Sequence, residues 1–299
     1  MEEIIILSGK GGTGKTSVTA SLAALVNHPV LADCDVDASN LPLVLNPRLQ
    51  SQETFIGGLR ARIRPGHCVA CGQCQKLCRF DAIFFDGPGH GEVPRTFRVD
   101  PAACEGCGVC EYFCPEHAIE MIPAENGHWF VSDTRFGPLV HAHLRPGQGN
   151  SGKLVTLVRE QARQVAEASG RRLILIDGPP GIGCPAIAGL TGTTRMLVVT
   201  EPTPSGEHDL ERVIELGRHF GVPAWVCLNK HDVNPAMTRR MERKAAALGA
   251  TVVGRIPYHI SVTDAQRQGR PVVELDDSPA AQAFLRLWKD LSHVYLCHS

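Results

Sequence analysis

Eight consecutive residues constrain this chain more than any other stretch: Gly9-Lys10-Gly11-Gly12-Thr13-Gly14-Lys15-Thr16, set between an apolar run at 4–7 and a segment of helical composition at 17–26. They satisfy G-x-x-x-x-G-K-S/T in the strand, loop, helix order that its chemistry requires. Glycines let successive backbone N–H groups curl around phosphate oxygens, and the start of the helix adds a favourable dipole. Lys15 is then placed to reach the β- and γ-phosphates and Thr16 to hold Mg2+, with Gly11, Gly12, Thr13, Gly14 and Ser17 lining the nucleotide. An accidental glycine loop would need neither the strand before it nor the helix after it.

The same alternation continues along the chain. A short strand at 30–32 runs into an acidic segment; later come a helix at 153–168, strands at 173–176, 196–200 and 224–228, and helical stretches at 210–219 and 237–248. This predicts an α/β fold with a mainly parallel sheet and helices on both faces. The rhythm stops near Arg60 and is absent from about 62 to 122, a glycine- and cysteine-rich stretch. The expected organisation is therefore one phosphate-loop domain made of 1–60 and 124–299, interrupted by a small α+β module at 61–123. A chain of 299 residues, 43% of them hydrophobic, is long enough for both.

Eight of the twelve cysteines fall between Cys68 and Cys114, in two runs of Cys-x2-Cys-x2-Cys-x3-Cys. Each run is followed by a similar piece, Asp81-Ala82-Ile83 and His117-Ala118-Ile119, so the unit is duplicated. The spacing is that of bacterial ferredoxins, in which the fourth cysteine of each run ligates the other cluster. That assigns Cys68, Cys71, Cys74 and Cys114 to one 4Fe–4S cluster, and Cys104, Cys107, Cys110 and Cys78 to a second. Pro115 follows the second run as expected, whereas Arg79 stands where the first would carry proline. A disulfide scaffold suits a short secreted chain, and zinc sites are usually built from separated C-x-x-C pairs. Cluster ligation is the better reading.

Lys10, together with the rest of the loop, resembles the deviant phosphate loop of the MinD/ParA group of ATPases, which includes the nitrogenase iron protein and the Mrp-type cluster carriers. The resemblance implies a homodimer with nucleotide at the interface, Lys10 reaching the nucleotide of the other subunit. Asp33-Cys34-Asp35-Val36-Asp37-Ala38-Ser39-Asn40 resembles the family's first switch, which implies that Asp35 orients the attacking water, with Asp37 its nearest rival. Asp177-Gly178-Pro179-Pro180-Gly181 resembles the second switch, implying a Mg2+ contact through water for Asp177 and γ-phosphate sensing for Gly181. The resemblance extends to Asn150-Ser151-Gly152-Lys153-Leu154-Val155 and to the segment 258–271. It also implies that Asn229 reads adenine, although Asn229-Lys230-His231-Asp232 matches N-K-x-D, a guanine-reading signature.

Several residues fit plainer roles. Cys34, Cys184, Cys227 and Cys297 read as small core residues; Cys184, seven residues after Asp177 as in the nitrogenase iron protein, lacks the second cysteine a bridging cluster would need. His141 and His143 share a face of a strand but have no third metal ligand in view. Phe284, Leu287, Trp288, Leu291 and Tyr295 have the spacing of a closing core helix, with too few basic neighbours for a membrane-surface one.

The formal charge of −1 gives no basic field for a nucleic-acid backbone. The four apolar residues near the N-terminus, preceded by acids, do not form a signal peptide, and no stretch approaches the roughly eighteen apolar residues of a membrane span. The expectation is a cytoplasmic ATPase using ATP, Mg2+ and two 4Fe–4S clusters, with neither nucleic acid nor membrane as partner. It would couple a nucleotide-driven dimer switch to electron transfer or metallocluster assembly on a client protein, the client being a small nitrogenase-cofactor-carrier-like or orange-type protein. A cluster carrier and a positioning ATPase with structural or sensory clusters are the alternatives.

Overall fold

A computed structural model describes residues 1–145, 147, 149, 151–275 and 277–296, with side chains to residue 292. Asn150, Cys297 and the side chain of Tyr295 lie outside the described residues. The first half of the chain runs β1 (Glu2–Ser8), α1 (Lys15–Leu25), β2 (Val30–Asp33), α2 (Leu41–Leu45), β3 (Arg48–Ile63), α3 (Gln73–Leu77), β4 (Ile83–His90), β5 (Val93–Val99), α4 (Val109–Tyr112), β6 (Ile119–Asp133) and β7 (Pro138–Leu144). The second half runs α5 (Ser151–Ser169), β8 (Leu173–Pro180), α6 (Cys184–Leu190), β9 (Arg195–Thr200), α7 (Pro204–His219), β10 (Ala224–Asn229), α8 (Pro235–Ala247), β11 (Thr251–Ile256), α9 (Ile260–Arg267) and α10 (Pro279–Leu296).

The strands of the large sheet lie in the order β11-β10-β9-β1-β8-β2-β7-β6-β3. β1 pairs in parallel with both β8 and β9, and β2 in parallel with β8 and β7. Continuous apolar residues are what a parallel strand covered on both faces requires. Ile4, Ile5, Ile6 and Leu7 of β1 meet that demand and are all buried. On one face a single apolar cluster joins Val18 and Leu22 of α1 with Phe284, Leu287 and Leu291 of α10, so α10 is the closing core helix its spacing predicted.

The chain divides into two compact units: Met1–Glu53 with Trp129–His143 and Ser151–Ser299, and Thr54–His128 with Leu144–Asn150. The second is wider than the segment marked out by cysteine spacing, because its flanks are strands: β3 and β6 both continue across the boundary. In β3 the polar composition of Arg48–Ile63 hid a strand that buries Phe55, Gly57 and Ala61 on one side. Gly57 permits a close approach, its N–H donating to Asn126 Oδ1 at 2.9 Å where an added Cβ would stand 2.7 Å from that oxygen.

Within the second unit the duplication is visible in the backbone. Left-handed conformations occur at Ala70 and Gly106, at Gly72 and Gly108, and at Asp81 and His117, each pair 36 apart (106 − 70, 108 − 72, 117 − 81). Short helices α3 and α4 follow the second pair, and an antiparallel hairpin of β4 and β5 lies between the two halves. Cys68, Ile83, Phe97, Cys110, Ala118 and Ile119 form its small core.

Candidate functional site

Parallel strands deliver their C-terminal ends to one edge of a sheet, where such folds bind ligands. Here β1 ends in the glycine loop, β2 ends at Asp33, β8 carries Asp177 and β10 ends at Asn229. Gly12 and Gly14 take φ of 81° and 92°, a backbone that L side chains rarely adopt, and this bends the loop onto the start of α1.

Lys15 is buried, its Nζ 2.9 Å from Asp177 Oδ1 and 3.5 Å from Asp35 Oδ2. Thr16 and Thr19 donate to the two Asp177 oxygens at 2.8 and 3.0 Å. Burial opposes the Lys15 charge, but Asp177, Asp35 and Asp33 outweigh it and hold its pKa above the usual lysine value. Asp33 accepts from Ser39 Oγ, the N–H of Asp35 and the N–H of Leu41, which fixes the turn that presents Asp35. Burial first, and Asp177 second, push the Asp33 carboxyl up to about 7. Asp35 is also raised, by burial and by Asp177 against the pull of Lys15.

A broad cavity beside these groups is lined by Gly11 to Ser17, Asp35, Asp37, Asn229, Tyr258 and Gln266, among others. Thr13 Oγ1 is buried with no hydrogen-bond partner among the described residues, an orphan polar atom of the kind a phosphate oxygen satisfies. Even with a proton held on Asp33, Asp35 and Asp177 against one lysine leave a negative excess suited to a divalent cation. Among the described residues no three His, Cys, Asp or Glu side chains converge as a single-ion shell. Mg2+ in such sites takes one or two protein ligands and completes its shell with phosphates and water.

Three expected contacts are engaged elsewhere. Lys10 folds back so that its Nζ lies 2.7 Å from Glu201 Oε1, with Lys230 Nζ on the other carboxylate oxygen at 3.1 Å. Gly181 does not line the cavity; its N–H donates to Ser8 O at 2.8 Å. Asn229 lines the cavity but donates to Thr13 O at 2.7 Å. Asp232 accepts from the N–H of Tyr258 at 2.7 Å and is absent from the cavity wall. Glu201 and Asp33 are the residues that sequence reasoning missed. Asp33 was visible as the first acid of its segment, whereas nothing local to Glu201 marks it as the partner of a lysine 191 residues away.

The chain matches the CobQ/CobB/MinD/ParA nucleotide binding domain over residues 4–272. It belongs to that family. An uncharacterized protein of Methanocaldococcus jannaschii is 36% identical over 235 residues, 78% of this chain and 79% of that protein. The iron-sulfur cluster carrier protein of the same organism is 23% identical over 304 residues, covering 96% and 82% of the two chains. Among solved structures, the cell division ATPase MinD of Pyrococcus furiosus superposes with a TM-score of 0.60 at 20% identity, over 98% of this chain and 99% of that one. MinD of Pyrococcus horikoshii in complex with Mg-ADP gives 0.60 at 19% identity, over 98% and 97%. The likeness to these solved structures establishes the fold.

The second unit has two separate small cavities of equal size, about 20 Å³ each. Cys78, Cys104, Cys107 and Cys110 line one; Cys68, Cys71, Cys74 and Cys114 line the other. The N–H of Ala61 points at Cys104 Sγ at 3.5 Å, and that of Ala118 at Cys114 Sγ at 3.3 Å. Burial is the main force that pushes the Cys74 and Cys110 thiols up to about 11, with neighbouring cysteines adding to it.

The remaining candidates fall into plain places. Cys34 and Cys227 are buried core thiols, their pKa values raised by burial. Cys184 is exposed at the start of α6 rather than a core residue. His141 is buried, stacked on Phe130 with ring centroids 4.9 Å apart and its Nε2 3.1 Å from Ser132 Oγ; burial, then His143, lower its pKa to about 4. No helix among the described residues is long and apolar enough to cross a membrane.

Proposed function

We propose that this protein is an ATP-dependent iron–sulfur protein in which a nucleotide switch in the first unit governs electron transfer or metallocluster assembly on a partner, through two 4Fe–4S clusters in the second. The single observation that carries this reading is the sorting of eight cysteines into two cavities, each taking three from one run and the fourth from the other. A cubane spreads four thiolates around an inorganic core, so its ligands face a common space instead of converging on one ion. Backbone N–H groups aimed at two of the sulfurs fit the same use.

In the first unit the phosphate loop and Lys15 bind the β- and γ-phosphates, Thr16 and Asp177 hold Mg2+, and Asp35 or Asp37 positions the attacking water. Binding must draw Lys15 and Thr16 from Asp177 toward phosphate, and Gly181 from Ser8. Lys10 must leave Glu201 to serve the partner subunit's nucleotide in a homodimer. Asn229 lines the cavity and Asp232 does not, which favours ATP over GTP; Asn229 must release Thr13 O to read the base.

A cluster carrier is the second reading, favoured by similarity over most of the chain to a protein bearing that name. Titration of the clusters with no nucleotide, with ADP and with a non-hydrolysable ATP analogue tests the switch. A change in cluster potential must be matched by an equal change in nucleotide affinity on reduction, typically about 1–3 kcal/mol. Clusters that leave stoichiometrically with an acceptor support the carrier; potentials, affinities and delivery rates that ignore nucleotide defeat the coupled switch.

A further inference from the structure

A third hollow of the second unit bears neither cysteine nor carboxylate. It is a cleft of about 300 Å³ whose charged lining is Arg60, Arg62 and Arg98. Arg62 spends only its Nε on Glu120, at 2.6 Å, and Arg98 spends its Nε and Nη2 on Asp86, at 3.1 and 2.8 Å. Arg62 makes a single exposed contact, which holds it weakly, whereas the exposed Arg98 pair is bidentate and leaves Nη1 as its unused donor group. Arg60 has no ion pair or side-chain hydrogen bond among the described residues. Three guanidinium groups thus present unused donors over one opening.

The floor of this cleft is the wall of both cysteine cavities. Ala61 and Val99 line the cleft and the cavity of Cys104; Ile63 and Phe97 line the cleft and the cavity of Cys68. A molecule seated there shares these wall residues with both cysteine sets. Pro65, Pro88 and Pro101 stiffen the rim, which lowers the entropy lost on docking.

Basic surface over a thin apolar partition is what an acidic electron carrier needs: charge to orient it, and a short path because tunnelling falls exponentially with distance. We propose that this arginine cleft is the docking site of an acidic one-electron carrier protein, and the port through which electrons enter the clusters. The inference rests on the cluster reading above. In the step one electron leaves the reduced carrier, which is oxidised, and enters one cluster, which is reduced; no bond is made or broken.

The test uses full-length, cluster-loaded protein and an acidic flavodoxin, reduced for kinetics and oxidised for calorimetry. Cluster reduction by the flavodoxin should be fast at low salt and slow steeply as salt rises, and calorimetry should show the same trend in affinity. Arg60→Glu should lower both rate and affinity about tenfold at low salt, Arg98→Gln should lower them less, and Arg60→Lys should retain most of each. Iron content and the extent of reduction by excess dithionite should be unchanged in all three. Salt-dependent rates and affinities that Arg60→Glu and Arg98→Gln leave intact overturn the docking site while the clusters stand. A loss confined to small anionic reductants also overturns it, showing an ion port and no protein dock. Absent iron and sulfide in the parent protein would instead remove the cluster reading itself.

Discussion

Asp33 and Asp177 are register partners on the adjacent parallel strands β2 and β8, and both are fully buried. Two carboxylates forced side by side share one nearby cation, Lys15, and the field of Asp177 adds to burial in keeping a proton on Asp33 up to about pH 7. Between about pH 4, the ordinary aspartate value, and pH 7 the folded protein therefore holds more protons than the unfolded chain. Stability of the nucleotide-free protein should accordingly fall across that window as pH rises, by up to about 1.4 kcal/mol per pH unit from this group. Asp33→Asn should flatten the slope, read as the difference between parent and variant denaturant midpoints. An identical slope in the variant would show that the pair does not carry it.

Lys15→Ala should abolish nucleotide binding by calorimetry, since it removes the cation facing the β/γ-phosphates. It also strands a buried carboxylate, at a cost of about 3 kcal/mol in denaturant unfolding at neutral pH. Nucleotide binding that survives the change would show that the loop does not work as its sequence implies.

Lys10 is held by Glu201 in the single chain, so the two roles of this lysine compete. Lys10→Ala should leave ATP binding nearly unchanged while impairing hydrolysis and nucleotide-dependent dimerisation. Glu201→Gln should strengthen dimerisation by up to about fivefold, because a half-exposed pair is worth at most about 1 kcal/mol. Sedimentation with ATP analogue decides both, and an unaltered Lys10→Ala dimer would remove the trans role.

Anaerobic protein should contain about eight iron and eight sulfide per chain. The interleaved ligand sets make a sharper demand on paired variants. Cys68→Ser with Cys114→Ser strikes one cavity and should leave about half the iron, whereas Cys68→Ser with Cys78→Ser strikes both and should leave little. Equal losses in the two pairs would contradict the sorting, and zinc without acid-labile sulfide would contradict the clusters.

Asp232→Asn keeps an oxygen for the N–H of Tyr258 and should leave the preference for ATP over GTP within about twofold of the parent. A guanine-reading aspartate would lose GTP selectively, and competition binding distinguishes the two.

The phosphate-loop motif, the two acidic segments that line up beside it and the pairing of the two cysteine runs could be picked out in the residues, because each is a short-range pattern of spacing. The α/β order was legible for a related reason, since strands buried on both faces must be apolar throughout, as β1 is. The strand β3 was not, because Arg48–Ile63 buries only one side of a polar segment interrupted by glycines. Folding alone decided that Asp33 lies opposite Asp177, that Lys10 meets Glu201 across 191 positions, and that Arg60 and Arg98, on different strands, share one cleft. These are contacts between distant segments, set by strand order and register, and no local pattern of residues encodes which side chains a sheet will bring together.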